Sequence, residues 1–248
     1  MEKKYTFDEF MDIIRMLRSD NGCPWDRKQT HESLKKYMIE ETYEVIDAVE
    51  RQDLKNLCEE LGDVLLQVAL HTAIAQEENE FNIEDVISGI SNKMITRHPH
   101  VFGTAYVKDD QEVLKNWEEI KKEEKKETTA SESIVRVPKS LPANIRAEKV
   151  QKKALDAGYG YKDFEEVINH IEKSLFTLKQ SKEIGNLTQI NDSYEKLLFL
   201  IVNLSGFLQL NAENSLTNAT NKFINRFVDI ERMSREKGRS LAELSDSE

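Results

Sequence analysis

Leu34, Met38, Glu41, Val45 and Ala48 follow one another at spacings of four, three, four and three. That is the period of an α-helix packed along one stripe, and it puts a glutamate in the middle of an apolar seam. A buried carboxylate with no partner is costly, so a helix of this pattern has to fold around something that satisfies the charge. Glu40 and Glu44 complete a Glu-Glu-x-x-Glu run, with Glu44 one turn on, beside Tyr37 and Ala48. A second helical run carries Leu57, Leu61, Val64, Val68 and Ala75 along its seam, with Glu60 and Asp63 flanking it one turn apart. Side chains three apart on a helix point the same way, so this Glu-x-x-Asp pair presents its oxygens to one point. Glu59 and Glu50 point elsewhere and read as solvated.

The rest of the chain predicts an all-α fold. Nine glycines and four prolines in 248 residues leave few interruptions, and Glu, Lys, Leu and Ile favour helices. Helical spacing of Phe7, Phe10, Ile13, Ile14 and Leu17 predicts a first helix over 6–19. Asp20 to Asp26 has turn chemistry, and Thr30 or Ser33 caps the next helix. A third helix opens near Asn82 and is stopped by Pro99 and Gly103. A charged helix over 111–127 has Trp117 and Ile120 as its strong anchors. Further helices are expected at about 143–157, 162–183, 190–213 and 214–237. The expected organisation is a first helical domain over 1–127, a linker over 128–142, a second helical domain over 143–237 and a frayed tail over 238–248.

The formal net charge of -11 argues against a nucleic-acid binder, which needs a basic face against phosphates. It leaves room for a nucleotide, because bound cations invert local electrostatics. Cys23 and Cys58 form no metal-binding cluster. The sequence contains no signal peptide and no apolar run long enough for a membrane span, so the expected compartment is the cytoplasm.

Ser91-Asn-Lys-Met-Ile-Thr-Arg97 recurs as Thr220-Asn-Lys-Phe-Ile-Asn-Arg226, which reads as two copies of one helical unit. The acids do not recur. Glu40–Glu44 is matched against Glu172-Lys-Ser-Leu-Phe176, and Glu59–Asp63 against Asp192-Ser-Tyr-Glu-Lys196, where a lysine takes the place of Asp63. One half is metal-competent and the other is scaffold.

Four converging carboxylates repel one another, and a cation removes that repulsion. Oxygen ligands suit Mg2+ or Mn2+. Di-iron bundles use Glu-x-x-His, and the third residue after Glu60 is Asp63, which argues against iron. Mg2+ held by carboxylates takes further ligands from substrate phosphates. Glu44 or Glu40 is then available to orient a water. Lys93 and Arg97, four apart, read either as phosphate contacts or as cations suiting a helix C-terminus.

These residues resemble the MazG branch of the all-α nucleoside triphosphate pyrophosphohydrolases. The resemblance rests on Glu-Glu-x-x-Glu, a fifteen-residue spacer and Glu-x-x-Asp. It rests also on Gly22-Cys-Pro-Trp-Asp26, Gln29-Thr-His-Glu-Ser33, Arg97-His-Pro-His-Val-Phe102, Asn116-Trp-Glu118 and Ser140-Leu-Pro-Ala143. It covers nearly the whole chain, in the tandem-domain layout with a degenerate second copy. It implies hydrolysis of nucleoside triphosphates, ribo- or deoxyribo-, between the α- and β-phosphates, serving nucleotide-pool house-cleaning. It implies Mg2+ on Glu41, Glu44, Glu60 and Asp63, in a helical bundle completed by a homodimer. Lys28, Lys93 and Arg97 match basic positions near the polyphosphate. Trp25 either packs on the base or belongs to the core. Lys222 and Arg226 remain in the second copy, which either stabilises the dimer or lends basic residues across an interface. Two other readings compete: a narrower dUTP- or dCTP-type nucleotidase of the same superfamily, and a non-catalytic helical adaptor with inert acids.

Overall fold

The computed structural model describes residues 3–124 and 129–238, and every regular element in them is an α-helix. The chain divides into two compact units between Lys121 and Lys122. The expected domain end at 127 lies outside the described residues, as does the expected tail from residue 239 onward.

Unit 1 holds α1 (Phe7–Arg18), α2 (Pro24–Arg27), α3 (His31–Glu50), α4 (Leu54–Glu77), α5 (Ile83–Arg97), α6 (Pro99–Phe102) and most of α7 (Asp110–Glu124). Side-chain caps set where these helices begin. Thr6 and Glu9 bond each other's backbone N–H at the start of α1, and Thr30 and Ser33 do so at the start of α3. Of the two candidates, Thr30 is therefore the cap. Asp53 caps α4 and Asn82 caps α5. The four-residue helices α2 and α6 lie in segments expected as loops. Each starts with a proline whose φ suits a first turn, and each is too short to show periodicity. Between α1 and α2 the chain turns so tightly that a Cβ on Gly22 would lie 2.2 Å from the Leu17 carbonyl oxygen.

The long pair α3–α4 is the framework of the unit, and α1 and α5 pack on α4. Met11, Ile14, Leu34, Ala69, Leu70, Ala73, Ile74 and Ile83 form the core, flanked by Phe10, Leu17, Tyr37 and Leu66. The α3 seam stands as spaced: Leu34 and Ala48 are buried, and Met38, Glu41 and Val45 are half-buried. On α4, Leu57, Val64, Val68 and Ala75 are half-buried or buried as spaced, and Leu61 departs from the seam. Leu61 is 53% exposed, while Glu60 is only 8% exposed and lies in the packed face. Apolar spacing alone placed Leu61 inward; the helix instead turns its acids toward α3. Gly62 has nothing within 4 Å of the position a Cβ would take.

Unit 2 holds α8 (Ala130–Val135), α9 (Ala143–Asp156), α10 (Phe164–Ile184), α11 (Leu187–Phe207) and α12 (Ala212–Lys237). Helix α8 lies within the segment expected as linker and packs on α9. The framework is again a long pair, α10–α11, around Val167, Ile171 and Leu200.

The two pairs share one register. Asp53 N–H donates to the Ala48 carbonyl at 3.0 Å, and Asn186 N–H donates to the Ser181 carbonyl at 3.0 Å. The left-handed turn residue is Gln52 (φ 56) in one and Gly185 (φ 75) in the other. Asp53 and Asn186 are both caps, and Leu34 and Val167 are both fully buried. All of these correspond at one constant offset. That offset sets Lys173, Ser174 and Thr177 at the places of Glu40, Glu41 and Glu44, and Ser193 and Lys196 at those of Glu60 and Asp63. The matching of Glu40–Glu44 with Glu172–Phe176 is thus corrected by one residue. Ser174 and Ser193 are buried, and Ser174 Oγ donates to the His170 carbonyl of its own helix at 2.8 Å.

Candidate metal centre

Helix α3 supplies Glu41, and α4 supplies Glu60 and Asp63. One oxygen from each of these carboxylates lies within 4.8 Å of the other two. Glu60 is buried, and Glu41 and Asp63 are half-buried. The convergence follows from two periodicities: Glu41 takes a seam position between Met38 and Val45, and Glu60 and Asp63 are one turn apart on the facing helix.

The charges are close enough to resist ionisation together. Burial raises the Glu41 carboxyl above its ordinary value, and the charges of Asp63, Glu44 and Glu40 raise it further. Glu60 is also raised, first by burial, then by a hydrogen bond with Glu44 and by the charges of Glu44, Asp63 and Glu59. Each of these influences makes the ionised form of the cluster less favourable, and a bound cation would offset it. Glu44 and Glu40 are themselves exposed, although Glu44 was expected beside the seam. Both stand at the rim, where they act on Glu41 and Glu60 from the solvent side. A compact all-oxygen donor set with surplus negative charge fits a hard divalent cation.

The basic and aromatic candidates sit on α2, at its end and on α5. Trp25 is 51% exposed and meets Tyr37 edge-on at 5.9 Å, so it is not a core tryptophan. Tyr37 lies one turn before Glu41 on α3. Lys28 ends α2 and is exposed. On α5, Lys93 is exposed and Arg97 is buried. His98, just beyond Arg97, bonds the Met94 carbonyl through Nδ1 at 2.6 Å and lies against Trp117, which gives it a role at the helix end.

Two features of the α3–α4 seam escaped sequence reasoning. Gln67, one turn beyond Asp63, is 4% exposed, and its Oε1 has no hydrogen-bond partner among the described residues. The spacing 60, 63, 67, 71 marks it as a neighbour of the acids on one face, but the misplaced Leu61 seam hid that face. The second feature is a contact between His31 and His71, which are forty positions apart and leave no local signal.

Residues 29–102, which contain all five acids, match the MazG nucleotide pyrophosphohydrolase domain. The chain is 44% identical over 238 residues to the nucleoside triphosphate pyrophosphohydrolase/pyrophosphatase MazG of Thermotoga maritima, covering 96% of this chain and 90% of that protein. The chain belongs to the MazG family. It is 37% identical over 236 residues to the nucleoside triphosphate pyrophosphohydrolase of Escherichia coli K12, covering 93% of this chain and 89% of that one. It is also 44% identical over 242 residues to YabN, an uncharacterised protein of Bacillus subtilis; there it covers 97% of this chain but only 49% of the relative. The chain thus spans about half the length of YabN and nearly all of the other two. Among the described residues, no helix is long and apolar enough to cross a membrane.

Proposed function

We propose that unit 1 hydrolyses nucleoside triphosphates, ribo- or deoxyribo-, between the α- and β-phosphates, releasing a nucleoside monophosphate and pyrophosphate. The observation that carries this reading is the convergence of Glu41, Glu60 and Asp63 within 4.8 Å on a MazG-type helix pair. The two relatives covered nearly end to end are named for this activity.

Glu41, Glu44, Glu60 and Asp63 hold Mg2+, and Mn2+ suits the same oxygens. The bound cation offsets the polyphosphate charge and polarises the phosphoryl oxygens. The chain's own groups do the rest by positioning. Glu44 and Glu40, at the solvent rim, orient the attacking water and accept its proton. The water oxygen joins phosphorus on one side of the α–β bridge, the bridging P–O bond breaks, and its electron pair leaves with the departing phosphate. Lys28, Lys93 and Arg97 balance the phosphate charge, and the half-exposed face of Trp25 packs on the base.

The working form is a homodimer. Ile39, Tyr43, Ile46 and Val49 on α3, and Leu61 and Leu65 on α4, are exposed in the single chain. Apolar side chains recurring along the framework pair are the kind of surface a second copy covers. Unit 2 acts as scaffold for this assembly, and the compartment is the cytoplasm.

The test is to incubate the protein with each of the eight common nucleoside triphosphates and Mg2+, measuring pyrophosphate and orthophosphate separately. Pyrophosphate release is expected, lost on chelation and in Glu44→Ala. Orthophosphate as the first product overturns the α–β assignment. Turnover confined to dUTP or dCTP favours the narrower nucleotidase, and no turnover with metal bound favours the adaptor.

A further inference from the structure

His31, the first residue of α3, meets His71 in the middle of α4. The two Nδ1 atoms are 2.7 Å apart, the ring centroids 5.0 Å apart and the ring planes 6° apart. Two imidazoles joined through nitrogen atoms at that distance reach such a centroid separation only when both nitrogens lie on the line between the ring centres. The rings are therefore coplanar and edge to edge, the geometry of a linear N–H···N hydrogen bond. One Nδ1 carries the hydrogen and the other offers its lone pair. A second proton on the acceptor places two N–H groups head-on, and the bond is lost.

The location gives this contact leverage. His31 directly follows the Thr30 cap, and Ser33 Oγ donates to Gln29 Oε1 at 2.8 Å. Gln29 Nε2 in turn donates to the Trp25 carbonyl at 3.0 Å. The first turn of α3 and helix α2 are thus one hydrogen-bonded piece, and the histidine pair ties that piece to α4. The charged groups on the neighbouring elements have partners of their own. On α1, Arg18 is paired with Glu77 and donates to the Asp26 and Gln29 carbonyls; on α3, Lys35 is paired with Glu32; and in the first turn of α5, the Asp85 carboxylate accepts from the Asn82 N–H while Glu84 is exposed. Burial and the facing His31 are what act on His71, and both lower its pKa.

We propose that His31 and His71 form a latch that closes on one shared proton and opens when both rings are charged, loosening the first turn of α3 against α4 while Arg18 still holds the Asp26 and Gln29 carbonyls. Helix α2 carries Trp25 and ends on Lys28, so acidification loosens the segment assigned to the nucleotide. That consequence rests on the proposed function. The latch does not, and its test uses neither nucleotide nor metal.

The full-length protein, labelled at histidine and kept in chelator, is titrated by NMR from about pH 8 to about pH 5, with His98, His100 and His170 as internal references. The expected result is two coupled steps for the pair, collapsing to one step for the remaining ring in His71→Gln. Amide exchange across residues 31–35, corrected for intrinsic rates, is expected to rise about tenfold over the same range and to stay level in the double variant His31→Gln/His71→Gln. Independent titration of the two rings, each unaffected by loss of the other, overturns the proposal. So does an equal rise in exchange in the double variant. If that variant does not fold, the wild-type titration decides alone.

Discussion

Arg18 at the end of α1 grips Glu77 at the end of α4 through two hydrogen bonds of 2.7 Å, although 59 positions separate them. The Arg18 side chain is only 5% exposed, and it also donates to the carbonyls of Asp26 and Gln29. One guanidinium therefore ties α1, α4 and the approach to α3 together. Arg18→Met keeps the apolar stem and removes these charge-assisted bonds, while the Asp26 carbonyl keeps the Gln29 N–H as a donor. The expected loss is about 1–3 kcal/mol, read by denaturant unfolding. A loss within experimental error would show that the clamp is bystander geometry.

Neutralising one acid of the cluster has opposite effects on stability and activity. Glu60→Gln removes a buried like charge, so the metal-free protein is expected to melt at a higher temperature than wild type. The same variant loses the stabilisation that added Mg2+ or Mn2+ gives wild type, and pyrophosphate release falls about a hundredfold or more. Melting curves with chelator and with metal, run beside the activity assay, check all three. A lower melting temperature in chelator would mean that Glu60 is satisfied by the protein alone.

The raised pKa values of Glu41 and Glu60 set the sign of a pH effect. In the folded, metal-free chain these carboxyls keep a proton at a pH where the unfolded chain has lost it. Acidification therefore favours the folded state. Their penalty is full above the raised folded values, shrinks as pH falls through them and is gone below the ordinary value of 4.5. Wild type is expected to gain stability relative to Glu41→Gln/Glu60→Gln between about pH 7 and about pH 5. Metal affinity weakens over the same interval, because protons and cation compete for one set of oxygens. Parallel stability curves for the two proteins would remove the effect.

In unit 2, Ser193→Ala replaces the buried hydroxyl at the position of Glu60. Pyrophosphate release is expected to stay within about twofold of wild type, and stability to change by less than about 1 kcal/mol. A large loss of activity with the fold intact would show that the second unit reaches the reaction.

The sequence shows the seam of α3 directly, because Leu34, Met38, Val45 and Ala48 outnumber the single acid among them. It is less clear on α4, where leucines at 57, 61, 65 and 66 offer more than one apolar stripe. The stripe that includes Leu61 sets Glu60 at its flank, and only the facing helix settles that Glu60 is inside and Leu61 outside. The helix starts at Thr30 and Asn82 were readable because a cap acts within three residues. The His31–His71 contact was not, because tertiary packing alone joins its partners. The repeat had a comparable limit: its last helix could be aligned by eye, but the register of Ser174 on Glu41 needed the turn bonds at Ala48 and Ser181.

The buried serines of the second helix pair carry a consequence for the ion requirement. Ser174 bonds its own helix at 2.8 Å, whereas Glu41 and Glu60 are raised by burial and by neighbouring acids. On the proposed function, withdrawing divalent ions is expected to stop the first unit's reaction and to leave the packing of the second pair untouched, so that returning the ion alone restores turnover.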